Sequence, residues 1–128
     1  MRVTQIEMDA DEVPAWVTVA ASQDEARFVE ALLAAERDAL GLTSLRGRFA
    51  FVAISGDGVL RLTTGQAVLL ARLTGGMSWE KADRLPGGGK ANSAVYDCLV
   101  GGFANRFWDD GVDDPALEAQ VQAALDAA

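Results

Sequence analysis

Apolar and polar positions alternate from Arg2 to Met8, with Thr4, Ile6 and Met8 on one side and Val3, Gln5 and Glu7 on the other. This is the period of a β-strand. After the acidic connection Asp9-Ala-Asp-Glu12 and Pro14, residues 16–20 read as a second strand. The period then changes: Phe28, Val29, Leu32, Leu33 and Leu40 recur at helical spacing. Ser22 and Glu25 form a capping box ahead of them, each side chain satisfying an N–H that the first helical turn leaves free, and Gly41 stands where a C-terminal cap glycine belongs. The spacing predicts a helix over 22–40. Residues 48–55 carry Phe49, Phe51, Val52 and Ile54, and Gly56-Asp57-Gly58 separates them from the apolar run 59–63. Two such runs around an Asp-Gly turn predict a hairpin, because glycine permits the positive φ of a tight turn.

The second half reads as helical. Val68, Leu69, Leu70 and Leu73 mark a helix over 65–73, and Ser78 caps a short one over 79–85 that Pro86 ends. Asn92 or Ser93 caps a third, running through Val95, Tyr96, Leu99 and Val100 towards Phe103, with a weak point at Gly101-Gly102. Asp114-Pro115 is a cap and first-turn pair for a last helix whose Leu117, Val121, Ala124 and Leu125 form one stripe. The expected fold class is α+β, one domain over 1–128: residues 1–63 form a small antiparallel sheet in the order β-β-α-β-β, and residues 64–128 form a helical part sharing its core.

Composition narrows the chemistry. The chain has 128 residues, 50% hydrophobic and 23% charged, enough apolar material for a packed core. No run reaches the roughly 18 apolar residues of a membrane span, and Glu7, Asp9, Asp11 and Glu12 fall where a signal peptide needs an apolar core. A cytoplasmic protein without a membrane partner is expected. There is no histidine, which excludes serine–histidine triads and histidine zinc sites; the single cysteine, Cys98, excludes internal disulfides and reads as buried rather than reactive. No metal and no cofactor are implied: Asp109-Asp110 and Asp113-Asp114 lack EF-hand spacing and read as helix caps.

The net charge of −8 is unevenly spread, at −6 over residues 1–44, +4 over 45–108 and −6 over 109–128. The acidic ends are expected to fold against the basic middle. Overall acidity argues against a non-specific nucleic-acid binder, whose affinity comes from neutralising phosphates. Within the middle, Gly87, Gly88, Gly89, Lys90, Asn92 and Ser93 form a glycine-rich run entering a helix N-terminus. Free backbone N–H groups, the positive end of the helix dipole and a lysine are the chemistry of a phosphate or carboxylate site, with Arg84 and Arg106 as further charges. The run is not a Walker loop: Arg84 stands five places before Gly89, and Ala91 follows Lys90. The competing reading is a plain connection between helices. Trp16, Trp79, Phe103, Phe107 and Trp108 read as packing at the junction of sheet and helices, or else as an aromatic face for a partner.

Residues 62–85, with Leu62-Thr63, Gly76, Met77, Ser78, Glu80, Ala82 and Leu85, resemble the opening of the helix-turn-helix of LuxR-type regulators and sigma-factor region 4. The resemblance makes residues 93–99 the recognition helix and implies that Lys90, Asn92, Ser93 and Tyr96 face DNA. Glu80, Ala82 and Leu85 stand one place early for that pattern, the turn 86–92 is longer, and the helix carries Asp97 with no Arg or Lys before Arg106. The function expected from the residues is therefore a small acidic non-catalytic binding or regulatory protein, of the bacterial or phage accessory type. It would occupy a protein partner or sequester a phosphate-bearing ligand, with a divergent helix-turn-helix regulator as the alternative and an Asp/Glu-dependent enzyme last. The apolar hairpin over 49–62 invites a homo-oligomer.

Overall fold

The two N-terminal alternations become β1 (Arg2–Met8) and β2 (Pro14–Ala21) in the computed structural model, which describes residues 1–36 and 40–127. They pair antiparallel, with Val3 opposite Val19 and Ile6 opposite Val17. β3 (Gly58–Thr63) pairs along the other side of β2, setting Leu60 opposite Val19 and Leu62 opposite Val17. The result is a three-stranded antiparallel sheet in the order β1-β2-β3. Period 2 turns Val17, Val19, Leu60 and Leu62 into the core, and the other face leaves Trp16 and Thr18 half-buried and Val59 and Arg61 exposed.

α1 (Gln23–Ala35) opens on the expected capping box: the Glu25 N–H donates to the Ser22 hydroxyl (3.2 Å) and the Ser22 N–H to the Glu25 carboxylate (2.8 Å). It buries Phe28, Val29, Leu32 and Leu33. The helix is shorter than its stripe predicts, ending at Ala35 with Glu36 in an extended cap conformation. Residues 37–39, which that expectation includes, lie outside the described residues. Gly41 is not a cap; it belongs to the next helix, α2 (Leu40–Ser55).

α2 corrects the expected hairpin. Residues 48–55 are helical, not a strand, because Leu42, Leu45, Phe49 and Val52 form a stripe at steps of three and four that buries all four. Gly56 has the positive φ that the turn signal promised (+100°), but it uses it to stop the helix, its N–H donating to the Val52 carbonyl (3.0 Å). The order is thus β-β-α-α-β, with three strands rather than four. The α+β class stands.

β3 runs directly into α3 (Thr64–Gly75), where Thr63 and Gln66 form a second capping box. α3 is nearly enveloped: Ala67, Val68, Leu69, Leu70 and Ala71 are buried, and Thr64 donates to the Pro14 carbonyl (2.7 Å), tying the helix to β2. Ser78 caps α4 (Trp79–Asp83) as expected. α5 (Gly88–Leu99) starts earlier than the Asn92/Ser93 cap predicts, because Gly87 turns the chain into the helix with φ +86°. At Gly101-Gly102 the helix widens into a π turn (Val100–Ala104), followed by the short α6 (Asn105–Phe107). Asp114 then accepts the Ala116 N–H (3.0 Å) with Pro115 behind it, and a 3-10 turn leads to α7 (Glu118–Asp126).

α3 packs between α5 and α7. α7 sits on two glycines: a Cβ at Gly41 would lie 1.6 Å from the Ala124 carbonyl oxygen, and one at Gly65 would lie 2.1 Å from that of Gln120. One hydrophobic cluster draws on sheet and helices alike, including Val17, Phe28, Phe49, Leu70, Leu99, Phe103 and Leu117. Phe103, Phe107 and Trp108 contact one another at 5.6–6.0 Å in tilted and edge geometries. The acidic ends do meet the basic middle, through Glu7–Arg61 (2.7 Å), Glu30–Arg46 (2.8 Å) and Glu118–Arg72 (2.6 Å). Among the described residues no helix is long and apolar enough to cross a membrane.

Candidate functional site

The glycine run is shaped by its neighbours. Gly87 and Gly88 hold positive φ (+86° and +62°), and a Cβ on Gly89 would lie 2.5 Å from the Trp79 ring. The donors at the start of α5 are already engaged: the Gly88 N–H donates to the Leu85 carbonyl (3.0 Å) and the Gly89 N–H to the Asp83 carboxylate (2.9 Å). A carboxylate from the chain itself thus occupies the positive end of the helix, the place a bound anion would take.

The other residues of the expected site point several ways. Lys90 is exposed and forms no ion pair among the described residues. Asn92 donates to the Thr74 carbonyl (3.1 Å), pinning α5 to α3, and Ser93 is half-buried. Tyr96 lies against Gly75, whose Cβ would come within 2.9 Å of its ring. Arg106 is not brought to the loop: it stands in α6, beyond the π turn, with its guanidinium 5.4 Å from the Phe107 ring centre and donating to the Gly102 carbonyl (3.4 Å). Arg84, at the end of α4, pairs with Glu80 (3.2 Å) and faces a different feature.

That feature is a cleft of about 540 Å³ between the ends of α1 and α3 and the α4 segment. Leu32, Leu73, Met77 and Leu85 supply apolar lining that is continuous with the core. Among the described residues Arg72, Lys81 and Arg84 bring three cations to the lining, against one carboxylate, Glu36. Arg72 is fixed, donating to the Val112 carbonyl (2.8 Å) and to Glu118 (2.6 Å). Lys81 and Arg84 are exposed, and among the described residues Lys81 has no carboxylate partner. The cleft was not legible from the residues one segment at a time. Arg72 and Lys81 are nine positions apart on different helices, and only the α3–α4 bend at Gly76-Met77 faces them across one apolar floor.

Cys98 is buried, as its apolar neighbours predict, and burial pushes its thiol up to about 11. The protonated form is the one the fold favours. Its contribution to stability is therefore complete below the ordinary thiol value of 9.0 and is lost as pH rises towards 11. Alkylation by iodoacetamide at pH 8 is expected to be at least about a hundredfold slower in the native protein than in urea, because the thiolate is the attacking species. Equal progress curves in the two conditions would contradict this burial.

Comparison with family models, curated proteins and solved structures finds no match to this chain.

Proposed function

We propose that the protein is a non-catalytic binding protein that holds an anionic ligand with an apolar body in the cleft between α1, α3 and α4. The observation that carries this reading is the gathering of Arg72, Lys81 and Arg84 around an apolar floor in a chain of net charge −8. Arg72 is paired with Glu118 and Arg84 with Glu80, so Lys81 is the cation of the three with no carboxylate partner among the described residues. Its place beside an apolar floor favours an anion that carries an apolar body. Lys81 and Arg84 meet the charged head, with Arg72 as a fixed charge behind them. Leu32, Leu73, Met77 and Leu85 meet the apolar body. The cleft has the size of an ordinary small-ligand site, a few hundred Å³. Among the described residues its lining contains no hydroxyl, thiol, imidazole or carboxylate pair, which supports binding rather than turnover.

The test compares decanoate with decanol by calorimetry and thermal melting. Decanoate is expected to bind at least about tenfold more tightly, ~1.4 kcal/mol, and the double reversal Lys81→Glu with Arg84→Glu should erase that preference without changing the fold. Equal binding of acid and alcohol, or a preference that survives the reversal, rejects the cleft as the site. Duplex DNA retarded at low salt and released steeply by added salt, with neither amphiphile bound, would transfer the function to Lys90 and the helix-turn-helix reading.

A further inference from the structure

β3 is an outer strand of the sheet, and the direction of its free backbone groups follows from its neighbours. Thr18 turns its carbonyl towards Thr4 of β1, whose hydroxyl donates to it (3.3 Å). Arg61, directly opposite Thr18, turns its own carbonyl to the Arg48 guanidinium of α2. Thr18 and Arg61 are therefore a pair that exchanges no hydrogen bonds, and by alternation Val59 also directs its N–H and C=O outwards. Those groups border a groove of about 380 Å³ between β3 and α2. Phe51 and Val59, 72% and 65% exposed, flank the groove, and Ile54 stands one helical turn beyond Phe51, 85% exposed.

The charge of the groove selects the occupant. Among the described residues its lining includes Arg48 and Arg61 and no carboxylate. Arg61 is partly spent, paired with Glu7 and stacked 3.8 Å from the Trp16 ring centre, whereas Arg48 has no carboxylate partner among the described residues. Burial and the neighbouring Arg61 both hold Arg48 below the usual guanidinium range, so a carboxylate arriving there relieves a repulsion. A second copy of the chain fits poorly, since pairing two β3 edges about a two-fold axis gathers both copies of Arg48, which has no carboxylate partner among the described residues.

We propose that the β3–α2 groove is a docking site for an extended acidic–apolar segment of another protein, which adds to the sheet as a fourth strand beside β3. The Val59 and Arg61 backbone groups supply the strand pairing, Phe51 and Val59 receive apolar side chains, and Arg48 receives a carboxylate. The arriving strand takes over the Arg61 carbonyl from Arg48 and frees that guanidinium for a carboxylate.

Fluorescence anisotropy with two labelled ten-residue peptides tests this, one alternating valine with glutamate and the other valine with lysine. The glutamate peptide is expected to bind at least tenfold more tightly, Arg48→Glu should remove that difference, and Lys81→Glu should leave it intact. Val59→Pro removes an outward N–H without touching the β2 pairing and should also lose the peptide; Phe51→Glu, a change at a largely exposed position, repeats the test should the proline variant fold poorly. Absence of binding, equal binding of both peptides, or loss with Lys81→Glu overturns the proposal. A sedimenting dimer broken by Phe51→Glu would overturn it in favour of self-association, and competition by duplex DNA in favour of a nucleic-acid groove.

Discussion

Phe49→Ala is expected to lose about 3–5 kcal/mol of stability, while Phe51→Ala, two residues on, should change it by less than about 0.5 kcal/mol. The contrast rests on the helical period of α2. Steps of three and four from Leu42 through Leu45 and Phe49 to Val52 place these side chains in the core, and Phe49 is fully buried. Phe51 falls about 200° further round the helix axis and is 72% exposed. In a strand the two phenylalanines would share a face, and both substitutions would cost alike or not at all. Urea unfolding of the two variants decides it: a large drop in midpoint for Phe49→Ala alone is the expected result, and comparable drops for both would refute the helix.

The second large effect concerns the seat of α7. Gly65 lies in the first turn of α3, where helix propensity alone would reward alanine by at most about 1 kcal/mol. Packing reverses the sign, because the added methyl would stand 2.1 Å from the Gln120 carbonyl oxygen, a backbone atom that cannot swing aside. A net loss of about 1–3 kcal/mol is expected for Gly65→Ala. Gly41→Ala should lose at least as much, its methyl lying 1.6 Å from the Ala124 oxygen. Gly47, in the middle of α2, has open space where a methyl would stand, with nothing within 4 Å, so Gly47→Ala should gain about 1 kcal/mol. Thermal melts of the three variants should therefore move in opposite directions, two down and one up. A rise for all three would mean that α7 does not rest on these glycines.

The parts of the fold that were legible in the residues are those decided within a few positions. Ser22 with Glu25, Ser78, and Asp114-Pro115 mark helix starts because a side chain meets a backbone N–H two or three residues on, and all three act so in the structure. β1 and β2 were legible because their residues alternate; the irregularity between Val3 and Gln5, which turns Val3 to the same core side as Ile6 instead of the opposite face, was not. Residues 48–55 were not, since Phe49, Phe51, Val52 and Ile54 satisfy a strand's preferences locally, and the helical stripe emerges only when Leu42 and Leu45 are counted with them. Gly56 compounds the ambiguity: a positive φ serves a hairpin turn and a helix stop equally well. The glycines at 87–89 stand out in the residues as special backbone, and the structure bends there. Their partners, Asp83 and the Trp79 ring, depend on how α4 folds back on α5. The cleft and the β3–α2 groove are assembled from separate elements, so no single segment announces either.

The π turn at Val100–Ala104 sets the phase of everything that follows it. An α-helix advances about 100° per residue, so anchors kept four apart, such as Val95, Leu99 and Phe103, creep about 40° round the axis at each step. A π turn winds more slowly, closing its hydrogen bonds five residues apart, and takes that creep back. Val95, Leu99 and Phe103 are accordingly all fully buried on one continuous rod. Gly101 and Gly102 thus act as gearing between two helical sections: the count of residues at this point, more than their identity, determines which way Phe107, Trp108 and the approach to α7 are aimed. A one-residue deletion here would be transmitted as a rotation to the whole C-terminal quarter, whereas the same deletion in a surface turn would be absorbed where it fell.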